Sequence, residues 1–197
     1  MLMVAFSLQT IRKLTFGYEE IAAVLGITLA SARVTATRYV RTGLLIRLKR
    51  NCYMLRDSWS RLEPEQKFTV ASLLQTPSYI SLMTALTYYE ITTQVQQDFI
   101  ESAALQRTRT FNIESTAFAF TKLQPNLFHH FSRVKNFFIA APEKALLDAL
   151  YLQGMGKYRL DVSSLDIKKI DRKNLEALAD FFPEKVKHLC RRLYDEF

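Results

Sequence analysis

Apolar residues recur at helical spacing in two consecutive segments near the start of the chain. Segments 18–25 and 29–42 each place apolar residues at intervals of three and four, which predicts one helix for each segment. Gly26 lies between them, and a residue without Cβ adopts the left-handed backbone of a tight turn at little steric cost. Thr28 is placed to cap the second helix. With a short preceding helix expected at Gln9–Leu14, the pattern is typical of a helix-turn-helix.

Alternating apolar and polar residues follow directly after these helices. A strand is expected over 43–49 and a returning strand over 52–55, joined by a two-residue turn. A hairpin that follows a helix-turn-helix is a wing, and Lys49 and Arg50 at its tip are placed to contact DNA phosphates. We therefore predict a winged helix-turn-helix that binds double-stranded DNA over residues 1–60.

A helical wheel divides the second of these helices into two sides. One side groups residues that should pack on the preceding helices: Leu29, Ala32, Ala36, Tyr39 and Val40. The other side groups residues that suit contacts with bases and phosphates: Arg33, Val34, Thr37, Arg38 and Arg41, with Ser31 near its edge. Arginine pairs bidentately with guanine and a valine methyl packs on a thymine methyl. These residues, together with Lys49 and Arg50, are the predicted DNA-binding residues.

The net charge is concentrated in the same part of the chain. The whole sequence carries 27 Lys/Arg and 19 Asp/Glu for a net +8, and residues 1–60 hold 9 of the former and 3 of the latter, 9 − 3 = +6. The rest of the chain contributes 18 − 16 = +2. A basic first third is expected if that part binds a polyanion. The alternative is an ordinary helical hairpin, which also turns at a glycine, with a solvated basic surface.

Composition narrows the class of protein further. Apolar residues make up 49% of the chain, as in a folded domain, and no apolar run approaches the roughly 18 residues of a membrane span. The start, residues 1–6, has neither the basic flank nor the cleavage site of a signal peptide. Cys52 and Cys190 fit no metal spacing and are expected to be reduced thiols, with a disulfide between them as the alternative. The prediction is a cytoplasmic protein without a membrane segment.

The second part of the chain, residues 61–197, mixes helical and strand patterns, so the whole chain is predicted to be α+β. Helices are expected from Glu63 to Thr76, in a segment that begins at Tyr79, from Ala141 to Gly154, and from Pro183 onward. Strands are expected at Phe99–Ala103, Arg109–Ile113, Thr116–Thr121 and Asn136–Ile139.

Four stretches in this order resemble the AbiEi-like antitoxins of bacterial type IV toxin–antitoxin systems, namely Ile21–Ala32, Gly43–Tyr53, Tyr79–Leu86 and Ala141–Asp148. The chain departs from these relatives in being short and in having Asn51 where they tend to have a glycine nearby, although Asn tolerates a positive φ. The resemblance implies a transcriptional repressor that autoregulates its operon. It also implies an antitoxin that counteracts a nucleotidyltransferase-like toxin, with the neutralising activity in the C-terminal domain.

Within that domain, three charged residues of one predicted helix are candidates for the neutralising activity: Glu143, Lys144 and Asp148. The alternative is that they cap and solvate the helix, through its dipole and a Lys144–Asp148 pair one turn apart.

The motifs of common enzymes are missing from the sequence. It contains no Gly-rich phosphate loop and no Gly-x-Ser-x-Gly, and His129-His130 is followed by no second pair of metal ligands. Glu65-x-Lys67 and Asp166-x-Lys168 match part of a nuclease pattern, but such triplets arise by chance in a charged chain. We therefore predict a protein that is not an enzyme and that has no cofactor and no metal.

An orphan winged-helix regulator, whose C-terminal domain senses a ligand or a protein, is the alternative to the antitoxin. In that case a group of aromatic residues lines a ligand pocket rather than simply forming core: Phe118, Phe120, Phe128, Phe131, Phe137 and Phe138.

Overall fold

The computed structural model describes residues 7–94 and 96–195, so the apolar start at 1–6 lies outside the described residues. The chain divides into two compact units, Met1–Lys67 and Phe68–Phe197. The secondary structure mixes helices and strands, and the predicted α+β class is confirmed at this level.

The first unit consists of helices and a short hairpin. Residues 7–9 are helical, and they are followed by α1 (Tyr18–Leu25), α2 (Leu29–Arg41), β1 (Leu45–Lys49), β2 (Cys52–Leu55) and α3 (Arg56–Trp59). The bounds predicted for α1 are confirmed. The helix expected at Gln9–Leu14 is wrong, because the chain leaves the helical conformation after residue 9 and continues through a turn and bends.

The core of the first unit joins both helices to the hairpin. Its buried members are Leu8, Phe16, Ile21, Ala32, Ala36, Tyr39, Leu45 and Tyr53. Phe16 and Tyr53 exchange two backbone hydrogen bonds, of 3.0 and 2.8 Å, so the segment before α1 pairs with β2 as a third extended segment. The expected burial of Leu29 is wrong: its side chain is 56% exposed, since it lies in the first turn of α2, beyond the edge of the core.

The second unit is built on a sheet of six strands among the described residues. In chain order its elements are α4 (Pro64–Leu74, which begins in the first unit), β3 (Ser78–Ile80), α5 (Leu82–Tyr88), β4 (Phe99–Ala104), β5 (Arg109–Ile113), β6 (Thr116–Lys122), β7 (Phe131–Val134), β8 (Phe137–Ala140), α6 (Pro142–Gly154), α7 (Arg172–Ala179) and α8 (Glu184–Asp195). The strand order is β5-β6-β4-β3-β8-β7. The β3–β8 and β4–β6 pairs are parallel, and the other three pairs are antiparallel.

One expectation for this unit needs correction. Tyr79 and Ile80 belong to a strand rather than to a helix, because β3 is paired on both sides and the helix begins only at Leu82. The predicted hairpin around residues 114–115 is confirmed, whereas β7 and α7 were not predicted.

The aromatic residues considered for a ligand pocket mainly serve packing. Phe118, Phe120 and Phe137 are at most 1% exposed and belong to the core. Phe128 and Phe131 contact the ring of Tyr79 at centroid distances of 4.9 and 4.5 Å. Phe138 is partly exposed at the surface.

A polar network lies at the centre of the second unit, where α6 is buried along most of its length. Lys144 and Asp148 form an ion pair one turn apart, and both side chains are 0% exposed. Asp148 Oδ2 also accepts hydrogen bonds from the Tyr79 hydroxyl at 2.9 Å and from the Ser81 hydroxyl at 2.8 Å. Lys144 Nζ donates to the Tyr79 hydroxyl at 2.8 Å. The i,i+4 pair was expected, but the expectation that it solvates the helix is wrong.

This burial bears on the candidates for toxin neutralisation. A side chain without exposed surface cannot contact a partner protein. Lys144 and Asp148 therefore contribute to the packing of the second unit rather than to a binding surface. Glu143 is also buried, and its carboxylate accepts a hydrogen bond from the backbone amide of Asp171 at 3.2 Å.

A second buried carboxylate lies on β4. Glu101 Oε2 accepts hydrogen bonds from the Met83 amide and from the Tyr158 hydroxyl, both at 3.1 Å. Burial raises the pKa of Glu101 to about 7, although these hydrogen bonds act in the opposite direction. Because the ordinary value is 4.5, the Glu101 carboxyl binds more protons in the folded chain than in the unfolded chain between these two pH values, and it destabilises the fold as the pH rises. The free energy of unfolding therefore falls as the pH rises through this window.

Replacing Glu101 by glutamine is expected to remove this loss of stability. The amide oxygen accepts the same two hydrogen bonds and carries no charge to desolvate, so at pH 8 the variant should exceed the native chain by about 1–3 kcal/mol. Below pH 4.5, where the carboxyl is protonated in both states, the two chains should have similar stability. Urea denaturation followed by far-UV circular dichroism at pH 4 and pH 8 measures the difference. An identical pH dependence in the two chains would contradict the assignment.

Candidate nucleic-acid interface

The turn between α1 and α2 sets the angle between these two helices. Gly26 adopts φ +63, as predicted, and the two helix axes are bent by 102° at this break. Thr28 Oγ1 accepts a hydrogen bond from the Ser31 amide at 3.2 Å, so the predicted cap of α2 is confirmed. The angle lies within the range of about 90–120° that is typical of helix-turn-helix pairs.

The other end of α2 leads directly into the hairpin. Gly43 has φ +79, and this left-handed conformation reverses the chain after the helix. The carbonyl oxygen of Gly43 accepts a hydrogen bond from Arg56 Nε at 2.8 Å. The helix and the hairpin are thus joined by a short, hydrogen-bonded connection.

The outward side of α2 carries the predicted DNA-binding residues. Of these, the structure places the following at the surface: Ser31, Arg33, Val34, Thr37, Arg38 and Arg41. Two of them already use their hydroxyl groups within the protein, because Thr37 Oγ1 donates to the Arg33 carbonyl at 3.0 Å and Ser31 Oγ accepts from the Thr28 hydroxyl at 3.0 Å. The charged groups that this helix presents at the surface are its three arginines.

The hairpin presents the remaining predicted residues. Lys49 and Arg50 are both exposed, at the end of β1 and in the turn. The register between the strands is irregular between Arg47 and Lys49, since Arg47 pairs with Tyr53 whereas Lys49 pairs with Cys52. Arg47 and Lys49 are exposed while Ile46 and Leu48 are buried.

Asn51 connects the hairpin turn to the start of α1. It adopts φ +53, and its Oδ1 accepts a hydrogen bond from the Tyr18 amide at 2.6 Å. Gly17, the N-cap residue of α1, has no side chain with which to cap the helix, so Asn51 supplies an acceptor from 33 residues further along the chain. A Cβ on Gly17 would lie 2.8 Å from Glu19 Oε2 and 2.9 Å from Asn51 Oδ1, so any other residue here would displace these two side chains.

Two carboxylates complete this junction. Glu19 Oε2 accepts a hydrogen bond from Asn51 Nδ2 at 3.2 Å, and Glu20 Oε2 accepts one from the Gly17 amide at 2.8 Å. Glu20 also pairs with Lys13 at 2.6 Å, and this hydrogen bond lowers the pKa of its carboxyl. Both carboxylates lie in the first turn of α1, where the helix dipole favours negative charge.

The pKa of the Tyr53 hydroxyl on β2 is influenced by the charges of basic residues on α2 and β1. The hydroxyl of Tyr53 donates to the Tyr18 hydroxyl at 3.1 Å, and burial together with this contact raises the pKa of Tyr53 to about 12. The charges of Arg47 and Arg33 act in the opposite direction on this pKa. The sequence reasoning missed Arg47, although the alternation along β1 was a signal that it is exposed.

Three further features of the described residues bear on the sequence predictions: possible metal ligands, cysteines and membrane-spanning helices. Among residues 7–94 and 96–195, no three His, Cys, Asp or Glu side chains are grouped so as to hold a metal ion. Cys52 and Cys190 are free and buried. No single helix in the described part of the chain has the length and apolar content needed to cross a bilayer; by those two criteria alone, only the bent pair α1 and α2 passes.

Comparison with known proteins yields a structural neighbour and no family. No family model matches this chain, and no curated protein matches it. Among solved structures, the Rv2827c protein from Mycobacterium tuberculosis aligns with a TM-score of 0.60 over 98% of this chain and 75% of that chain, at 11% sequence identity. The chain is thus similar in fold to Rv2827c, and at this identity the likeness extends to the fold alone.

Proposed function

We propose that the first unit is a winged helix-turn-helix and that the protein is a cytoplasmic transcriptional repressor that binds double-stranded DNA. The observation that supports this most directly is the outward side of α2, where Arg38 and Arg41 are exposed opposite the buried Ala32 and Ala36, and Arg33 is exposed at the edge of that side. A helix with this division packs on the protein through one side and presents cations on the other, as a recognition helix in the major groove does.

The hairpin supports the same proposal. Arg47, Lys49 and Arg50 are exposed on the element that follows the helix, and charged groups next to a recognition helix contact the phosphates that flank the groove. A net charge of +6 over residues 1–60 adds a favourable, salt-dependent contribution to binding.

We further propose that the repressor is the antitoxin of a type IV toxin–antitoxin system, and that it autoregulates its operon and counteracts a nucleotidyltransferase-like toxin. The support is the resemblance to AbiEi-like antitoxins in four stretches, of which Tyr79–Leu86 and Ala141–Asp148 fall in the second unit. Those two stretches supply all four members of the buried network, Tyr79, Ser81, Lys144 and Asp148. In this proposal the two resembling stretches of the second unit form its packed interior, and the toxin binds elsewhere on the surface of that unit.

Binding of the purified full chain to the DNA upstream of its own gene tests the first proposal. At about 150 mM salt, fluorescence anisotropy should give a Kd for this duplex at least about 10³-fold lower than for a scrambled duplex. Equal affinity for both duplexes, or no binding to either, would contradict a sequence-specific repressor.

The antitoxin proposal has its own test. Expression of the neighbouring gene of the operon should arrest growth, and co-expression of this chain should restore it. A neighbouring gene without effect on growth would contradict the antitoxin and favour the orphan regulator.

A further inference from the structure

From Ala30 to Thr37, the centre of the outward side of α2 carries methyl groups rather than charges. At 100° per residue, Ala30, Val34 and Thr37 lie at about 100°, 140° and 80° from Leu29. Arg33 and Arg38 lie at about 40° and 180°, on either side of this line. All five residues are exposed, and Val34 is 71% exposed. Arg41, at about 120°, lies on the same line in the last turn. The line that points furthest from the core is therefore apolar from Ala30 to Thr37, with Arg41 at its end and Arg33 and Arg38 on either side.

The side chains on this line have few hydrogen-bonding groups to offer. The Thr37 hydroxyl hydrogen is used by the Arg33 carbonyl at 3.0 Å, which leaves the methyl group of Thr37 for contacts. Ala30 and Val34 have only methyl groups. Valine is stiff at χ1, particularly in a helix, so it presents its methyl groups with little loss of side-chain entropy on binding.

In the major groove, one base displays a group that suits this surface. Thymine alone carries a C5-methyl there, whereas guanine, adenine and cytosine display hydrogen-bond donors and acceptors only. Apolar contacts to that methyl group are an established form of direct readout.

On the basis of the proposed DNA binding, we propose that Val34, with Ala30 and Thr37, makes α2 specific for thymine through its C5-methyl group. Arg33 and Arg38 flank this line and bind the phosphates or guanines beside it. The operator of this protein therefore contains thymines at the positions that the centre of α2 covers.

Uracil-substituted DNA tests this inference, because uracil differs from thymine only by the missing methyl. The duplex upstream of the gene is amplified with dUTP in place of dTTP, and binding of the native chain is compared with binding of Val34→Ala. Each methyl contact that is lost should reduce affinity about fourfold. The native chain should bind the uracil duplex about tenfold more weakly than the thymine duplex.

The variant gives the decisive comparison. Val34→Ala should bind the thymine duplex about five- to tenfold more weakly than the native chain, and its own preference for thymine over uracil should be smaller, since the two changes remove the same contact. Val34→Thr, which keeps one methyl group, should give intermediate values. Met155→Ala, which shortens an exposed apolar residue of the second unit, is the matched control and should bind like the native chain.

The possible outcomes distinguish a failure of this inference from a failure of the proposed DNA-binding function. Equal affinity of the native chain for thymine and uracil duplexes overturns thymine reading but leaves a DNA-binding repressor. A thymine preference that is as large in Val34→Ala as in the native chain overturns the assignment to Val34. If the native chain binds none of the duplexes, the proposed function itself is contradicted.

Discussion

Replacing Asp148 by alanine is expected to lower the free energy of unfolding of the second unit by about 3–5 kcal/mol. The change leaves the Lys144 ammonium without its partner at a site with no exposed surface. It also removes the acceptor of the Tyr79 and Ser81 hydroxyls. Burial already lowers the pKa of Lys144, and the charge of Asp148 opposes that shift, so the variant also favours loss of the lysine proton.

Urea denaturation followed by far-UV circular dichroism measures this loss. Trp59, the single tryptophan, belongs to the first unit, so its fluorescence is not a substitute probe for the second. Glu176→Ala is the matched control, because Glu176 pairs with Arg172 at the same i,i+4 spacing but with both side chains more than half exposed. That variant should lose less than about 1 kcal/mol.

A double variant tests whether the cost comes from the unpaired charge. Lys144→Met combined with Asp148→Asn removes both charges and keeps an acceptor for the two hydroxyls, so it should be more stable than Asp148→Ala. If Asp148→Ala costs no more than Glu176→Ala, the buried network does not stabilise the unit.

Replacing Arg38 and Arg41 together by alanine is expected to weaken binding to the upstream duplex about 100-fold at 150 mM salt, with about tenfold from each residue. Both side chains are exposed on the outward side of α2. Each phosphate contact that is lost should also reduce the slope of log K against log salt concentration by about 1. A loss of affinity without a change in slope would instead assign the arginine to a base.

The control for this experiment is Arg191→Ala, which removes one exposed charge from α8. Arg38 also lies over the Tyr39 ring at 5.4 Å, so circular dichroism of each variant must show an intact fold. Native affinity in the folded double variant would show that this side of α2 does not face DNA.

The elements that sequence predicted best are those whose ends are set locally. Gly26 ends α1 and Thr28 caps α2, and both effects depend on residues within four positions along the chain. Leu29 shows where this reasoning fails, because its spacing fits the buried side but its place in the first turn takes it beyond the core. A helical wheel contains no information about where the neighbouring layer stops.

The second unit was less predictable because its strands pair over long distances in the chain. β3 is a strand because it lies between β4 and β8, whose residues come about twenty and sixty positions later. The segment around Tyr79 and Ile80 is also compatible with a helix when it is considered alone. Lys144 and Asp148 were expected at the surface because charged residues usually lie there. They are buried instead, because they pair with each other and Asp148 accepts a hydrogen bond from Tyr79 of β3.

The candidate interface was predictable in part. The outward side of α2 follows from its period, whereas the role of Asn51 depends on a contact with Tyr18 that no local pattern reveals. Arg47 lies away from the tip of the hairpin, and only the alternation of buried and exposed positions along β1 indicates its exposure.

The contact between Asn51 and Tyr18 has a consequence for the proposed binding of DNA. Swinging the hairpin away would break the cap of α1, together with the hydrogen bond to Glu19, so such motion is penalised before any ligand arrives. The hairpin and α2 are thereby preorganised as one rigid surface, and little conformational entropy is lost when they bind. Association should resemble the docking of two rigid surfaces, with a rate that is limited by diffusion and raised by electrostatic steering rather than limited by loop ordering.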